Sequence, residues 1–289
     1  MKPAPFKYLA AESLDEAVEV LREYGDEAKV LAGGQSLVPL MNLRLAMPGV
    51  LVDLNRLAEL QGIVANGTLE IGAMTRQIAV ERSPDVEAGA PLLAEALRHV
   101  AFPGVRSRGT IGGTLAHADP AAETPAVLLA LGGEVVARGP SGTRTIPADE
   151  LFVTYFTTAL APDEVLTHVR IPRRAHGQRF GFEEVARKQS DFALAGAAVA
   201  VEIDGEGICG SARIALFGVD DRPVRSTAAE QALAGRKLDH AAAAEAGAIV
   251  QAGLEPKSDS HASAAYRKDV VAVVVRRALL QAVSGGAAR

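Results

Sequence analysis

Two short glycine-bearing segments hold the residues best suited to chemistry. The first, Val30-Leu31-Ala32-Gly33-Gly34-Gln35-Ser36-Leu37, runs from an apolar stretch into two glycines and a hydroxyl, then into another apolar stretch. Glycines remove the Cβ atoms that would keep a phosphate away from the backbone, and they permit left-handed φ values. Amides in such a turn converge on an anion where a helix begins. Ser36 adds a hydroxyl donor. The second segment, Arg106 to Pro120, packs three glycines, two threonines and two arginines into its first nine residues, with Thr110-Ile111-Gly112-Gly113-Thr114 at its centre. Taken singly, the first also reads as an ordinary β–α turn and the second as a mobile surface loop. Taken together they suit a dinucleotide, whose two phosphates can be held from both sides. Neither spacing is the G-x-G-x-x-G of the usual NAD fingerprint or the G-x-x-x-x-G-K-[ST] of a P-loop.

The bulk properties narrow the classes further. The chain has 289 residues, 48% hydrophobic, 22% charged and 4% aromatic, with a net charge of −5. That length suits one long domain or two to three smaller ones. The acidic balance gives no footing for a nucleic-acid partner, which needs a concentrated basic surface. No apolar run approaches the roughly 18–20 residues needed to span a bilayer. Met1 to Leu9 lacks the apolar centre of a secretory signal, so a cytoplasmic protein is expected. The single cysteine, Cys209, excludes an internal disulfide and reads as a packed core thiol. One thiolate cannot hold an iron–sulfur cluster, which normally takes four. The six histidines show no metal-ligand spacing, so no metal site is expected.

The elements that must position the two segments can be read along the chain. Ser13-Leu14-Asp15-Glu16 fits a capping box, and Gly25 can end the helix it starts. Lys29 to Ala32 predicts a strand, Ser36 to Ala46 a helix with Pro39 in its first turn, and Val50 to Leu54 a second strand. Asn66-Gly67 predicts a hairpin between strands at 62–65 and 68–72. A helix over 91–100 then leads into a polar loop from Pro103 to Gly113, followed by a helix over 124–131. Strands are expected at 134–138, 143–146 and 164–171. The polar run Pro172 to Gln178 is the expected domain boundary. Beyond it, three antiparallel strands at 180–186, 195–203 and 208–219 precede helices near 226–234, 239–252 and 262–283. The class is therefore α+β. Residues 1–175 form one domain, with lobes of about 1–55 and 56–175, and 178–289 form a second.

The chain resembles a known family. Ala32-Gly33-Gly34-Gln35-Ser36, continued by Leu37, Pro39, Met41, Leu43, Arg44 and Leu45, is similar to the first FAD motif of the medium subunit of carbon monoxide dehydrogenase and its relatives. Thr110 to Glu123 resembles that family's second motif, and the likeness extends through Asp53-Leu54, Ile171-Pro172 and Arg187-Lys188-x-x-Asp191-Phe192-Ala193. The resemblance implies a two-lobed FAD-binding domain of the vanillyl-alcohol-oxidase type, followed by a small α+β domain. It implies non-covalent FAD, with residues 30–37 on the pyrophosphate and residues 110–114 as a second backbone clamp. Ala101, Glu123 and Leu166 are carried over as further cofactor contacts, and Lys188 is a candidate substitute for a family lysine contact that this chain lacks. It also implies a small [2Fe–2S] partner subunit and a large molybdopterin partner subunit, assembled as a dimer of heterotrimers, with electrons passing from the clusters to FAD and on to an external acceptor. No residue receives a catalytic role, because the flavin itself performs the redox chemistry. The alternative is a self-sufficient FAD-dependent oxidase of the same general fold.

Two features depart from the family pattern. Thr114 replaces the usual asparagine or serine and keeps a polar contact. Glu184 stands where relatives often carry a lysine that contacts FAD, which puts that contact in doubt. Asp119, before Pro120, reads as a turn residue, and Tyr155-Phe156 reads as an aromatic pair packed in the core, with packing near the flavin ring as the other reading.

Overall fold

A computed structural model describes residues 2–285. The first lobe is a small parallel sheet backed by a helix. Strand β1 (Lys7–Ala10) and strand β2 (Ala28–Leu31) both pair in parallel with β3 (Val50–Asp53), in the order β1-β3-β2. Parallel neighbours need a crossover. Helix α1 (Leu14–Tyr24) supplies it between β1 and β2. Its start follows the sequence signal: Ser13 accepts from the Glu16 amide at 3.1 Å, and Gly25 ends it at φ +51°. Ala17, Val18, Val20 and Leu21 bury one face against the sheet. Helix α2 (Leu37–Asn42) is shorter than the predicted 36–46. Leu45 and Ala46 both donate to the Leu40 carbonyl while Arg44 turns left-handed at φ +57°, so the chain folds back before a third turn can form.

The second lobe is an antiparallel sheet of five strands. The hairpin β4 (Ile63–Asn66) and β5 (Thr68–Gly72) turns at Gly67, φ +74°. Strands β6 (Glu134–Gly139) and β7 (Gly142–Pro147) form a second hairpin. A short ribbon, β8 (Phe152–Thr154) with β9 (Thr157–Thr158), stands apart. Strand β10 (Val165–Pro172) joins the two hairpins, giving the order β4-β5-β10-β6-β7.

Helices α3 (Gln77–Glu81), α4 (Pro84–Gly89), α5 (Pro91–His99), α6 (Pro103–Arg106), α7 (Ile111–His117), α8 (Glu123–Leu131) and α9 (Ala148–Leu151) fill the connections. The loop expected at 103–113 is thus partly helical, and its Gly-Gly pair lies inside α7. Thr110 caps that helix by accepting from the Gly113 amide at 3.0 Å.

Strand β10 ends at Pro172, and β11 (Gln178–Ala186) opens a third sheet with β12 (Ala193–Ile203), β13 (Cys209–Phe217) and β14 (Val224–Arg225). Helices α10 (Thr227–Leu233), α11 (His240–Gly253) and α12 (Ala264–Val283) cover one face of it. The other face meets α8, every residue of which is buried. In β12, Ala195, Ala197, Val199, Val201 and Ile203 point to the helices, while Ala198 joins the core on the α8 side. A sheet covered on both faces loses the polar alternation of a half-exposed strand, and β12 accordingly reads as a run of small apolar residues. Those small residues allow close approach. A Cβ on Gly181 would collide with the Ala278 carbonyl of α12. Replacing Gly181 with alanine is therefore expected to destabilise the chain by about 1–3 kcal/mol, the range for overpacking a filled core. The midpoint of urea unfolding tests this, and an unchanged midpoint would show that strand and helix can separate freely.

Candidate functional site

The two glycine segments meet. The first leaves the end of β2, and the second runs beside residues 73–77, which follow β5. Three backbone bonds hold the second in place: Gln77 N to Gly109 O at 2.9 Å, Ile111 N to Thr75 O at 3.1 Å, and Gly112 N to Ala73 O at 2.9 Å. The glycines permit this packing. A Cβ on Gly33 would overlap the Arg108 carbonyl and come within 2.8 Å of the Gly109 Cα. One on Gly112 would come within 2.9 Å of the Ala73 backbone, and one on Gly113 within 2.7 Å of Thr110 Oγ1. By their spacing alone these glycines suit the approach of a phosphate. Their first role is to let one backbone lie against another, and Gly34 alone, at φ +73°, needs left-handed freedom.

Pressed together, the segments line one groove of about 450 Å³. Val30, Ala32, Gly33, Gly34, Gln35, Ser36 and Leu37 form one wall, and Thr110, Gly113 and Thr114 belong to the other. An adjoining hollow shares Ala32 to Gln35 and adds Leu31 and Arg108. Ile111 and Gly112 lie buried behind the wall. Among the described residues, the amides of Gly33, Gly34, Gln35, Ser36 and Leu37 donate to no protein acceptor. Five free donors in sequence along a groove are a donor set suited to phosphate oxygens. Thr114 is oriented by Gln77, whose Nε2 donates to its hydroxyl at 2.9 Å.

The groove continues past His117 to Phe156, whose rings sit 5.1 Å apart. Burial lowers the His117 pKa and keeps the imidazole neutral, against the pull of Asp119. Phe156 was expected in the core. It is instead 57% exposed with φ +52°, a backbone conformation that bulky side chains rarely adopt. Of the two readings of this aromatic pair, core packing fails for Phe156, because a turn on the far side of α7 holds it out: its amide donates to the Ala118 carbonyl at 3.2 Å. Asp119 is the turn residue expected, its carboxylate accepting from the Ala121 amide at 2.9 Å. Cys209 is fully buried, and burial raises its thiol pKa.

Four predicted contacts lie away from the groove walls. Ala101 is left-handed at φ +41°, and its carbonyl accepts from Arg106 at 3.0 Å. Leu166 is a core residue of β10. Lys188 is exposed in the turn between β11 and β12. Glu123 begins α8 and is buried beside an ionic cluster. There, His99 Nδ1 lies 3.2 Å from Glu184 Oε1, and His99 Nε2 lies 3.6 Å from Glu95. Glu184 Oε2 is buried without a partner. Glu184 therefore turns to His99 at the seam between α5 and β11. Its carboxylate, then that of Glu95, raises the His99 pKa to about 9. Burial, and then the charge of Glu184, raises the Glu123 pKa to about 8.

With the geometry in hand, comparison with known proteins defines the class. Residues 4–174 match the family described as "FAD binding domain in molybdopterin dehydrogenase", and residues 180–282 match "CO dehydrogenase flavoprotein C-terminal domain". The chain belongs to this family of FAD-binding flavoprotein components of molybdopterin-dependent oxidoreductases. It is 43% identical over 285 residues to the 6-hydroxypseudooxynicotine dehydrogenase complex subunit alpha of Paenarthrobacter nicotinovorans, covering 98% of this chain and 96% of that one. It is 41% identical over 280 residues to the carbon monoxide dehydrogenase medium chain of Hydrogenophaga pseudoflava, covering 96% and 97%. A solved carbon monoxide dehydrogenase of Hydrogenophaga pseudoflava, lacking the Mo-pyranopterin moiety, superposes with a TM-score of 0.96 at 42% identity, covering 98% and 99%. These full-length relatives are subunits of complexes and do not favour a self-sufficient oxidase. Among the described residues, no helix is long and apolar enough to cross a membrane, and no group of side chains could hold a metal ion.

The buried cluster makes stability depend on pH. A raised folded-state pKa contributes stability below the unfolded value and loses it as pH climbs through the folded value. For Glu123 the loss runs from about 4.5 to about 8, and for His99 from about 6.5 to about 9. Both act in one direction, so the thermal midpoint should fall between pH 6 and 9. Glu123→Gln should flatten that fall. A variant as pH-sensitive as the parent would show that Glu123 holds no proton in the folded state.

Proposed function

We propose that this chain is the electron-relay subunit of a cytoplasmic molybdenum hydroxylase. In this reading a small iron–sulfur subunit delivers electrons, a large molybdopterin subunit oxidises the substrate, and the whole assembles as a dimer of heterotrimers. Residues 1–175 form the FAD-binding domain, with lobes of about 1–55 and 56–175, and residues 178–289 form the C-terminal domain. The observation that carries the reading is the run of five free amides, Gly33 to Leu37, lining one groove with Thr110, Gly113 and Thr114.

The donor set suits FAD. Backbone amides and the Ser36 hydroxyl match a pyrophosphate, and the Thr114 hydroxyl, oriented by Gln77, offers a polar contact on the facing wall. When bound, FAD supplies a redox centre able to take electrons singly or in pairs, which suits it to link one-electron clusters to an acceptor. The chain's own residues bind and orient. Neutral His117 and the exposed Phe156 ring give the far end of the groove an apolar, aromatic edge.

Two measurements test this. The purified chain should show a flavin absorption spectrum and release its flavin into the supernatant on acid precipitation. A colourless chain that takes up no FAD, with or without its partners, would sink the reading, and flavin kept in the pellet would point to covalent attachment. Gly33→Ala should weaken FAD at least about tenfold, or about 1.4 kcal/mol, by forcing the two segments apart. Equilibrium titration of flavin fluorescence measures it, and an unchanged Kd would show that the contact between the segments does not matter for binding.

A further inference from the structure

Arg76 and Asn55 lie in neither glycine segment, yet they join the two. The Arg76 guanidinium sends Nη1 to the carbonyl of Arg108, the residue on which Gly33 rests. It sends Nη2 to Asn55 Oδ1 at 2.6 Å, and Asn55 Nδ2 reaches the Ala32 carbonyl at 2.9 Å. One planar cation thus spans the seam between the walls of the groove, directly on one side and through a single amide on the other. Asn55 is held in turn by Asp53, which also accepts from the Tyr8 hydroxyl.

The charges around this bridge are unevenly matched. Arg108 lines the hollow beside Gly33 and Gly34, and among the described residues it has no carboxylate partner within ion-pair distance. Burial, and then the charge of Arg108, lowers the Arg76 pKa, and Asp53 opposes them. Two cations therefore share one acid under a wall of unpaired amides. A diphosphate in the groove would bring the missing negative charge, and arginine suits such a site because its fork can hold two acceptors at fixed angles.

We propose that Arg76 is a positioning residue for the cofactor: through Asn55 and the Arg108 carbonyl it sets the spacing of the two groove walls, and with Arg108 it holds positive charge that the FAD pyrophosphate neutralises. This rests on the FAD reading above. The role of Arg76 is indirect, acting through the walls it ties together.

The test uses the full chain stripped of FAD, with Arg76→Met, Arg76→Lys and Asn55→Ala beside the parent. The readouts are the Kd for FAD at low and high salt, the visible circular dichroism of bound flavin, and the thermal midpoint with and without FAD. Arg76→Met should raise the Kd at least about tenfold at low salt, with a smaller ratio at high salt where charge is screened. It should also change the flavin dichroism and shrink the FAD-dependent gain in midpoint more than it lowers the midpoint of the stripped chain. Arg76→Lys keeps the charge and loses the fork, so it should fall between parent and Met. Asn55→Ala removes the link from Arg76 to the Ala32 wall but leaves both arginines and the Arg76 bond to the Arg108 carbonyl, so it should alter the dichroism while keeping most of the salt dependence. An Arg76→Met chain with the parent's Kd and dichroism would overturn the proposal. So would equal losses of midpoint with and without FAD, the mark of a purely structural residue. If Arg76→Met does not fold, Arg76→Lys and Asn55→Ala decide, and parental values in both would overturn it. A parent chain that fails to bind FAD would refute the functional reading itself, which separates the two failures.

Discussion

The groove exists because Gly33 can lie against the carbonyl of Arg108. Any side chain at that position would occupy the place of the Arg108–Gly109 backbone, and the two walls would have to separate. From that contact follow the position of α7, whose own glycines press on Ala73 and Thr110, and the place of the unpartnered amides from Gly33 to Leu37 along the groove. Phosphate-binding turns are usually explained by what glycine leaves open to the ligand. Here three of the four motif glycines have their missing Cβ space filled by protein. The shape of the groove is a consequence of how closely the protein packs on itself.

A second constraint acts behind the groove. Helix α8 is buried on every side, with the middle sheet's core on one flank and the β11–β14 sheet on another. Burying a full helix between two sheets fixes their relation, because its contacts on both sides must be satisfied together. Only two charged or polar residues of this helix, Glu123 and Thr124, enter that interior at its first turn. The cost of burying a carboxylate is met by keeping the proton on it at neutral pH. Beside it, Glu184 faces His99 rather than a lysine, so the charge at the seam between α5 and β11 is balanced by an imidazolium. That arrangement explains how the chain accommodates its departure from the family pattern without leaving a carboxylate wholly uncompensated.

Much of the architecture was legible in the residues. Period, caps and turn residues marked α1, the Gly67 hairpin, and the run of strands followed by helices after residue 178, because each depends on neighbours a few positions apart. The limits of α2 and the helical form of residues 103–117 were not, since a left-handed Arg44 and two very short helices leave no periodic signal. The two glycine segments were visible as a pair, and the structure brings most of their residues to one groove.

What the sequence determined by itself was the identity of the two segments that line the groove: hydroxyls, glycines and their flanking apolar residues are local properties, written in consecutive positions. What only the tertiary structure decided was how those elements face each other. Arg76 and Asn55 tie the walls across 21 and 32 positions of chain, Phe156 is turned outward by a backbone bond to Ala118, and Glu184 finds His99 across 85 positions. Such contacts join residues whose own neighbourhoods carry no mark of them. They arise only when sheets and helices have packed, because distance along the chain says nothing about distance in space once the core has closed.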